Sequence, residues 1–166
     1  MRLIFQQLER EHALAILNWQ YPYPYDYYNF NADTIQEDLS YLLEKKNAFF
    51  AILNQQKKLE GYCSFGADGQ VPGGCYSAEA LDIGMAIRPD LIGQGRGKKY
   101  AQAVARYGAN QYSAKHLRVT ISDFNKRAQR VWQQLGFRRV EKFVKIGTEE
   151  EFVVMTRAVS DYTGKV

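Results

Sequence analysis

The sequence predicts a mixed α/β domain: a central, largely antiparallel sheet of about seven strands with about four helices around it. Three observations carry that prediction. Short runs rich in Val, Ile, Phe and Tyr recur between turn-forming residues, as strands require. Between them lie stretches whose apolar residues fall on one helical stripe. At 166 residues the chain is also long enough to bury a core without staples, so residues 1–166 are expected to form a single domain.

RLIFQQL (2–8) reads as the first strand, and EREHALAILNW (9–19) puts Ala13, Ile16 and Leu17 on one side of a helix. Residues 33–46 form a second helix striped by Ile35, Leu39, Leu42 and Leu43; Thr34 with Glu37 fits a capping box at its start. AFFAILN (48–54) and LEGYCSFG (59–66), separated by QQKK, read as an antiparallel hairpin. A Gly/Pro loop at 68–74 leads to the strand ALDIGMAI (80–87), which runs into RPDLIGQGRGKK (88–99). A helix at about 96–111 follows, striped by Ala101, Val104, Ala105, Gly108 and Tyr112. HLRVTIS (116–122) is a strand. NKRAQRVWQQLG (125–136) is a helix carrying Ala128, Val131, Trp132 and Leu135, with Gly136 as its C-cap. FRRVEKFVK (137–145) and EEFVVMTRA (150–158) are the last two strands.

Hydrophobic residues make up 46% and charged residues 24%, the balance of a soluble globular chain. No apolar run reaches the roughly 20 residues that span a bilayer. The first residues carry charge too early, and lack the small-residue cleavage site, for a secretory signal. Cys63 and Cys75 cannot make a disulfide framework, and with only His12 and His116 there is no zinc spacing, so no metal is expected. A reduced, cytoplasmic setting follows. A net charge of +4 is too small by itself to call for nucleic acid. Between residues 88 and 99, however, Arg88, Arg96, Lys98 and Lys99 face only Asp90, which makes a local anion-attracting patch.

That patch contains Gly93, Gly95 and Gly97 at alternate positions. Glycines so close together suit a backbone that turns tightly or lets another group approach. Between a strand and a helix, the loop N–H groups and the helix N-terminus can converge on an anion. A Walker loop fails, with Ile92 and Lys99 where Gly and Ser or Thr are needed; the dinucleotide pattern GxGxxG fails at Lys98. A plain strand-to-helix turn is one reading. The other is that the stretch resembles the pyrophosphate loop of the GNAT acetyltransferases, Gln/Arg-x-x-Gly-x-Gly/Ala, with Gly95 and Gly97 as its glycines and Ile92 departing at the first position. NKRAQRVWQQLGF (125–137) resembles the same family's second signature, Asn-x-x-Ala-x-x-x-Tyr-x-x-x-Gly-Phe. Asn125, Ala128, Gly136 and Phe137 match, and Trp132 stands in the tyrosine place. The resemblance covers at least residues 80–145.

The resemblance implies the GNAT fold and an N-acetyltransferase that uses acetyl-CoA as cosubstrate, a primary amine attacking the thioester directly in a ternary complex. A backbone N–H near Met85 would hold the oxyanion, and the backbones of Met85 and Ile87 would pair with the pantetheine arm. Gln94, Gly95, Arg96, Gly97 and Lys98 would cradle the pyrophosphate. Asn125 would bond the cofactor arm, and Trp132 completes the expected cofactor contacts. Asp82 and Glu79 are the candidate general bases. Burial among apolar neighbours would raise the Asp82 pKa; a plain strand carboxylate on the face opposite Met85 is the other reading. Indole is a donor only, so Trp132 cannot be the general acid, and core packing with Ala128 and Leu135 is its alternative role.

YPYPYDYYNF (21–30) holds six aromatics in ten residues, between the first two helices, where the loop of GNAT proteins overhangs the acceptor. Two prolines stiffen the tract. Tyr23, Tyr25, Tyr27 and Tyr28 are the candidate acceptor-binding residues, suited to an apolar or cationic acceptor; simple cover of the sheet is the alternative. Asp26 either meets an ammonium or sits in a solvated turn. The expected partners are acetyl-CoA and an amine, with no nucleic acid and no membrane, in a monomer or homodimer. A non-catalytic acyl-CoA-binding or regulatory module on the same fold is the second functional reading.

Overall fold

The computed structural model describes residues 2–159; the ends of the expected domain, residue 1 and residues 160–166, lie outside the described residues. Eleven elements follow in order: β1 (Ile4–Gln7), α1 (Arg10–Leu17), α2 (Ile35–Leu43), β2 (Phe49–Leu53), β3 (Leu59–Phe65), β4 (Leu81–Ile87), α3 (Gly97–Tyr112), β5 (His116–Ser122), α4 (Lys126–Gln134), β6 (Arg138–Val144) and β7 (Glu151–Ala158). The seven strands form one mixed sheet in the order β1-β2-β3-β4-β5-β7-β6. The pairs β1–β2, β2–β3, β5–β7 and β6–β7 are antiparallel, and β4–β5 is parallel. This is the fold class the sequence predicts, with element ends displaced by at most a few residues, the usual scale of helix fraying. No helix among the described residues is long and apolar enough to cross a membrane.

The chain gathers into two compact units. The first comprises Met1–Ser64 and Met85–Arg96, the second Phe65–Gly84 and Gly97–Val166. In the first, the α1 stripe (Ala13, Ile16, Leu17) and Leu39 and Leu42 of α2 bury against Phe49, Ala51 and Leu53 of β2. The expected capping box of Thr34 and Glu37 does not form. Asn31 opens a short 3₁₀ turn there by accepting from the Asp33 N–H. Thr34 follows with φ −114° and ψ 17°, away from the extended conformation a cap needs. Its hydroxyl donates to the Asp38 carboxylate instead, at 2.8 Å. At α1 an unforeseen partner appears: the Glu9 N–H donates to His12 Nδ1 at 3.2 Å.

In the second unit, α3 buries Tyr100, Ala101, Val104, Ala105, Gly108 and Ala109, while Tyr112, expected on that stripe, is exposed at the helix end. α4 closes as the sequence predicts. Gly136 takes φ +87°, its N–H donates to the Gln133 carbonyl, and the Phe137 N–H donates to the Trp132 carbonyl. That double closure is a Schellman motif, and it brings the residues at its two ends into apolar contact. Those residues are Trp132 and Phe137, whose rings meet edge to face at 4.9 Å.

Gly108 has a packing reason. A Cβ there would lie 2.9 Å from Phe65 Cδ1 and 3.2 Å from Leu81 Cδ2, so α3 passes its neighbours without room for a methyl. Alanine is the better helix former by about 1 kcal/mol, yet overpacking a tight core costs about 1–3 kcal/mol. Gly108→Ala is therefore expected to lower stability in urea unfolding; an increase would mean that Phe65 moves aside freely.

Candidate functional site

The end of β4 is braced from within the first unit. The Arg88 N–H donates to the Glu60 carbonyl at 2.9 Å. Its guanidinium forks onto the Asp90 carboxylate at 2.6 and 3.1 Å and reaches the Leu59 carbonyl at 2.6 Å. The Arg88 hydrogen bond holds the Asp90 carboxyl below its ordinary pKa. Pro89 starts a 3₁₀ turn, and the Gln94 amide donates back to the Asp90 carbonyl at 2.8 Å. Gly93 and Gly95 then take φ +74° and +73°, the left-handed region that side chains resist. A Cβ on Gly95 would touch nothing within 4 Å, so backbone conformation, not crowding, requires glycine there. Arg96 leans to Glu60, 3.8 Å away, whose other oxygen accepts from Asn54.

In the second unit, α3 opens at Gly97. A Cβ at that position would come within 3.2 Å of Val131 Cγ2 on α4. The first turn of a helix presents four N–H groups without intrahelical acceptors at the positive end of the helix dipole, and Lys98 and Lys99 are exposed there. Lys98 also lines an open groove with Gln102, Gln129, Gln133, Arg138 and Arg157, and no acidic residue lines it among the described residues. Asn125 caps α4, its Oδ1 accepting from the Ala128 N–H at 3.1 Å. Trp132 is buried.

Asp82 sits in an ion pair. Arg118 Nε donates to Oδ1 at 2.6 Å and its terminal nitrogen to Oδ2 at 2.8 Å, while the Gln70 amide donates to Oδ2 at 2.9 Å. Both side chains are buried, 3% and 4% exposed. The other terminal nitrogen of Arg118 donates to the Ala78 carbonyl, and the guanidinium lies over the Tyr76 ring at 4.9 Å. The hydrogen bond to Asp82 raises the Arg118 pKa further. Glu79 is exposed.

The aromatic tract is a pinned loop. Asn29 ties its two ends: Oδ1 accepts from the Tyr21 N–H at 2.7 Å, Nδ2 donates to Gln20 at 3.1 Å, and the Asn29 N–H donates to the Asp26 carbonyl. Tyr25–Tyr28 form a 3₁₀ turn. Tyr23 is 88% exposed, Tyr27 and Tyr28 are exposed and meet edge to face at 5.1 Å, and Tyr25 is half-buried. Tyr21 differs from them: its hydroxyl donates to the Ile87 carbonyl on β4 at 2.7 Å, and burial pushes its phenol pKa up. Among the described residues, Glu9, Glu11 and His12 have ligand atoms within 4.8 Å of one another, but His12 Nδ1 already accepts the Glu9 N–H.

The sequence matches the family model of the acetyltransferase (GNAT) domain over residues 2–138. The chain belongs to the GNAT acetyltransferase family. No curated protein matches it in sequence. In fold it is similar to a chimera of spermidine N-acetyltransferase SpeG from Vibrio cholerae and hSSAT, with 18% identity, 99% of this chain and 100% of that chain covered, and a TM-score of 0.73. It is also similar to a GNAT-family acetyltransferase from Bacillus anthracis, with 18% identity, 96% of each chain covered and a TM-score of 0.73. A third likeness, at 18% identity with 98% and 96% covered and a TM-score of 0.68, is to the dodecameric spermidine N-acetyltransferase from Vibrio cholerae.

Of the residues expected to work in this GNAT chain, Tyr23, Tyr25, Tyr27, Tyr28, Met85, Ile87, Gln94, Gly95 and Arg96 belong to the first unit. Asp82, Glu79, Gly97, Lys98, Asn125 and Trp132 belong to the second. Both oxygens of Asp82, a candidate general base by sequence, accept hydrogen bonds from Arg118 and Gln70. Sequence reasoning missed Arg118, which lies 36 positions from Asp82, and Tyr21. The only signal for Tyr21 was its place in the tyrosine tract, which does not say which ring is anchored.

Breaking a buried ion pair by removing one partner costs about 3–5 kcal/mol, since the other charge stays buried. Asp82→Asn is therefore expected to lose stability of that order in denaturant unfolding, while the folded fraction keeps the wild-type pH dependence of turnover. A shifted pH–rate profile at unchanged stability would assign the role of base to Asp82.

Proposed function

We propose that this acetyltransferase moves the acetyl group of acetyl-CoA to a primary amine by direct attack in a ternary complex, and that the amine is polyamine-like. The observation that carries the cosubstrate is the glycine stretch: two left-handed glycines leading to a helix N-terminus flanked by Lys98 and Lys99. Backbone donors and fixed positive charge suit a pyrophosphate, and Gln94, Gly95, Arg96, Gly97 and Lys98 are assigned to it. The groove behind Lys98, without acidic lining, suits the remaining anionic part of coenzyme A. Met85 is assigned the oxyanion N–H, Met85 and Ile87 the pantetheine arm, and Asn125 and Trp132 are further candidate cofactor contacts. Asp82 and Glu79 are the candidate bases, Glu79 exposed just ahead of β4 and Asp82 paired with Arg118. Cys63 and Cys75 are free thiols, in keeping with a cytoplasmic setting.

The cationic acceptor is supported by charge and by rings. Residues 11–44 hold six acidic side chains, Glu11, Asp26, Asp33, Glu37, Asp38 and Glu44, and no Lys or Arg. Tyr23, Tyr27 and Tyr28 stand exposed in the same stretch, where ring faces attract ammonium groups. Spermidine is the acceptor named for the Vibrio cholerae neighbours.

Calorimetric titration with acetyl-CoA, followed by thiol release against spermidine and a panel of other amines, tests both halves. Binding with turnover on spermidine is expected. Turnover only on uncharged or single-charge amines would overturn the acceptor class. Binding without turnover on any amine would favour an acyl-CoA-binding module, the reading that Trp132 in the tyrosine place supports. Gly97→Val fills the space at the α3 N-terminus and should weaken acetyl-CoA affinity by at least about tenfold, or about 1.4 kcal/mol; unchanged affinity would remove the loop assignment.

A further inference from the structure

We infer that Tyr21 is a positioning residue for acetyl transfer: its hydroxyl anchors the aromatic loop to the last carbonyl of β4, so that the acceptor wall is registered against the strand assigned to the cofactor arm. The inference rests on the reading of residues 21–30 as that wall. The direction of the carbonyl follows from peptide geometry. The Arg88 N–H points to β3, where it meets the Glu60 carbonyl. In a trans peptide the C=O of the preceding residue points the opposite way. The Ile87 carbonyl is therefore aimed at the other edge of β4, the edge along which the pantetheine arm is proposed to pair. Tyr21 takes that acceptor at 2.7 Å. A protonated phenol is a donor there, and burial keeps the proton on it.

The same residue starts the loop. Its backbone N–H is held by Asn29 Oδ1, and the Asn29 N–H closes on Asp26, so Tyr25–Tyr28 move as one piece with Tyr21. One hydroxyl thus connects the exposed rings to the end of the strand. Without it the loop keeps its internal ties and loses this tie to β4.

Tyr21→Phe removes the hydroxyl and keeps the ring. With spermidine as acceptor, KM is expected to rise roughly tenfold, the scale of one lost hydrogen bond. The Kd for acetyl-CoA should stay within about twofold, and chymotryptic cleavage inside residues 21–30 should speed up several-fold at an unchanged melting temperature. Tyr27→Ala and Tyr28→Ala serve as the comparison, because they test the wall itself. If they raise the spermidine KM and Tyr21→Phe changes neither KM nor cleavage, the anchor fails and the wall reading stands. If neither they nor Tyr21→Phe changes KM, both fail. An acetyl-CoA Kd that weakens as much as the spermidine KM would also overturn the inference, since Tyr21 would then support the cofactor strand alone.

Discussion

The buried pair of Asp82 and Arg118 is the constraint on which the second unit depends. It sits across the parallel pairing of β4 with β5, where Leu81 registers with Leu117 and Asp82 with Arg118. Two charges taken out of water cost several kcal/mol each, and their attraction offsets this only when their remaining hydrogen-bonding positions are filled. The filling comes from the connection between β3 and β4. Gln70 and the Ala78 carbonyl complete the hydrogen bonds, and Tyr76 lies under the guanidinium. Tyr76 is held in turn, its hydroxyl pairing with Thr120 at 2.8 Å and accepting from the Val71 N–H at 2.9 Å. A connection this long would otherwise have little reason to be ordered. Its glycines serve the same end: Gly73, at φ +113°, runs so close to β6 that a Cβ would sit 2.6 Å from the Val144 carbonyl.

Much of this architecture was legible because periodicity and punctuation are local. The α3 stripe, the turn between β2 and β3 and the C-cap at Gly136 each depend on residues within a few positions of one another. The glycine stretch was legible for the same reason, since Gly93 and Gly95 declare their conformation by being glycine. What could not be read depends on partners distant in sequence or on competition between near neighbours. Nothing around Asp82 announces Arg118, and a strand carboxylate looks the same whether it awaits a proton or a guanidinium. Thr34 offered a good capping pattern, but Asn31 began the turn three residues earlier and changed the backbone angles at Thr34. Tyr21 is one ring among six, and only the path of β4 distinguishes it.

Trp132 shows how a position can be fully explained by packing while its chemistry changes. The Schellman closure of α4 asks for a large apolar residue to meet Phe137, and indole fills that need with its face covered. Under the proposed reaction, a tyrosine hydroxyl at this place would donate a proton to the departing thiolate. Its loss is affordable on energetic grounds. With a thiol pKa of about 8.5, releasing the thiolate unprotonated at neutral pH costs only about 2 kcal/mol.

The amine sets the harder problem. A lysine-like ammonium with pKa about 10.4 must give up its proton at a cost of roughly 4–5 kcal/mol at neutral pH. The acidic, ring-rich stretch that would attract a cationic acceptor makes this worse, because nearby carboxylates favour the charged form. A single-amine substrate bound there would be held in the wrong protonation state for attack. A polyamine escapes the conflict. One of its ammonium groups can stay charged against the carboxylates and tyrosines while a second is presented away from them. Repulsion between the two like charges also lowers the cost of deprotonating that second amine. The charge partition along this chain, six acids without a base over residues 11–44 and thirteen bases against two acids over residues 96–145, therefore suits a polycationic acceptor and an anionic donor better than it suits a simple amine.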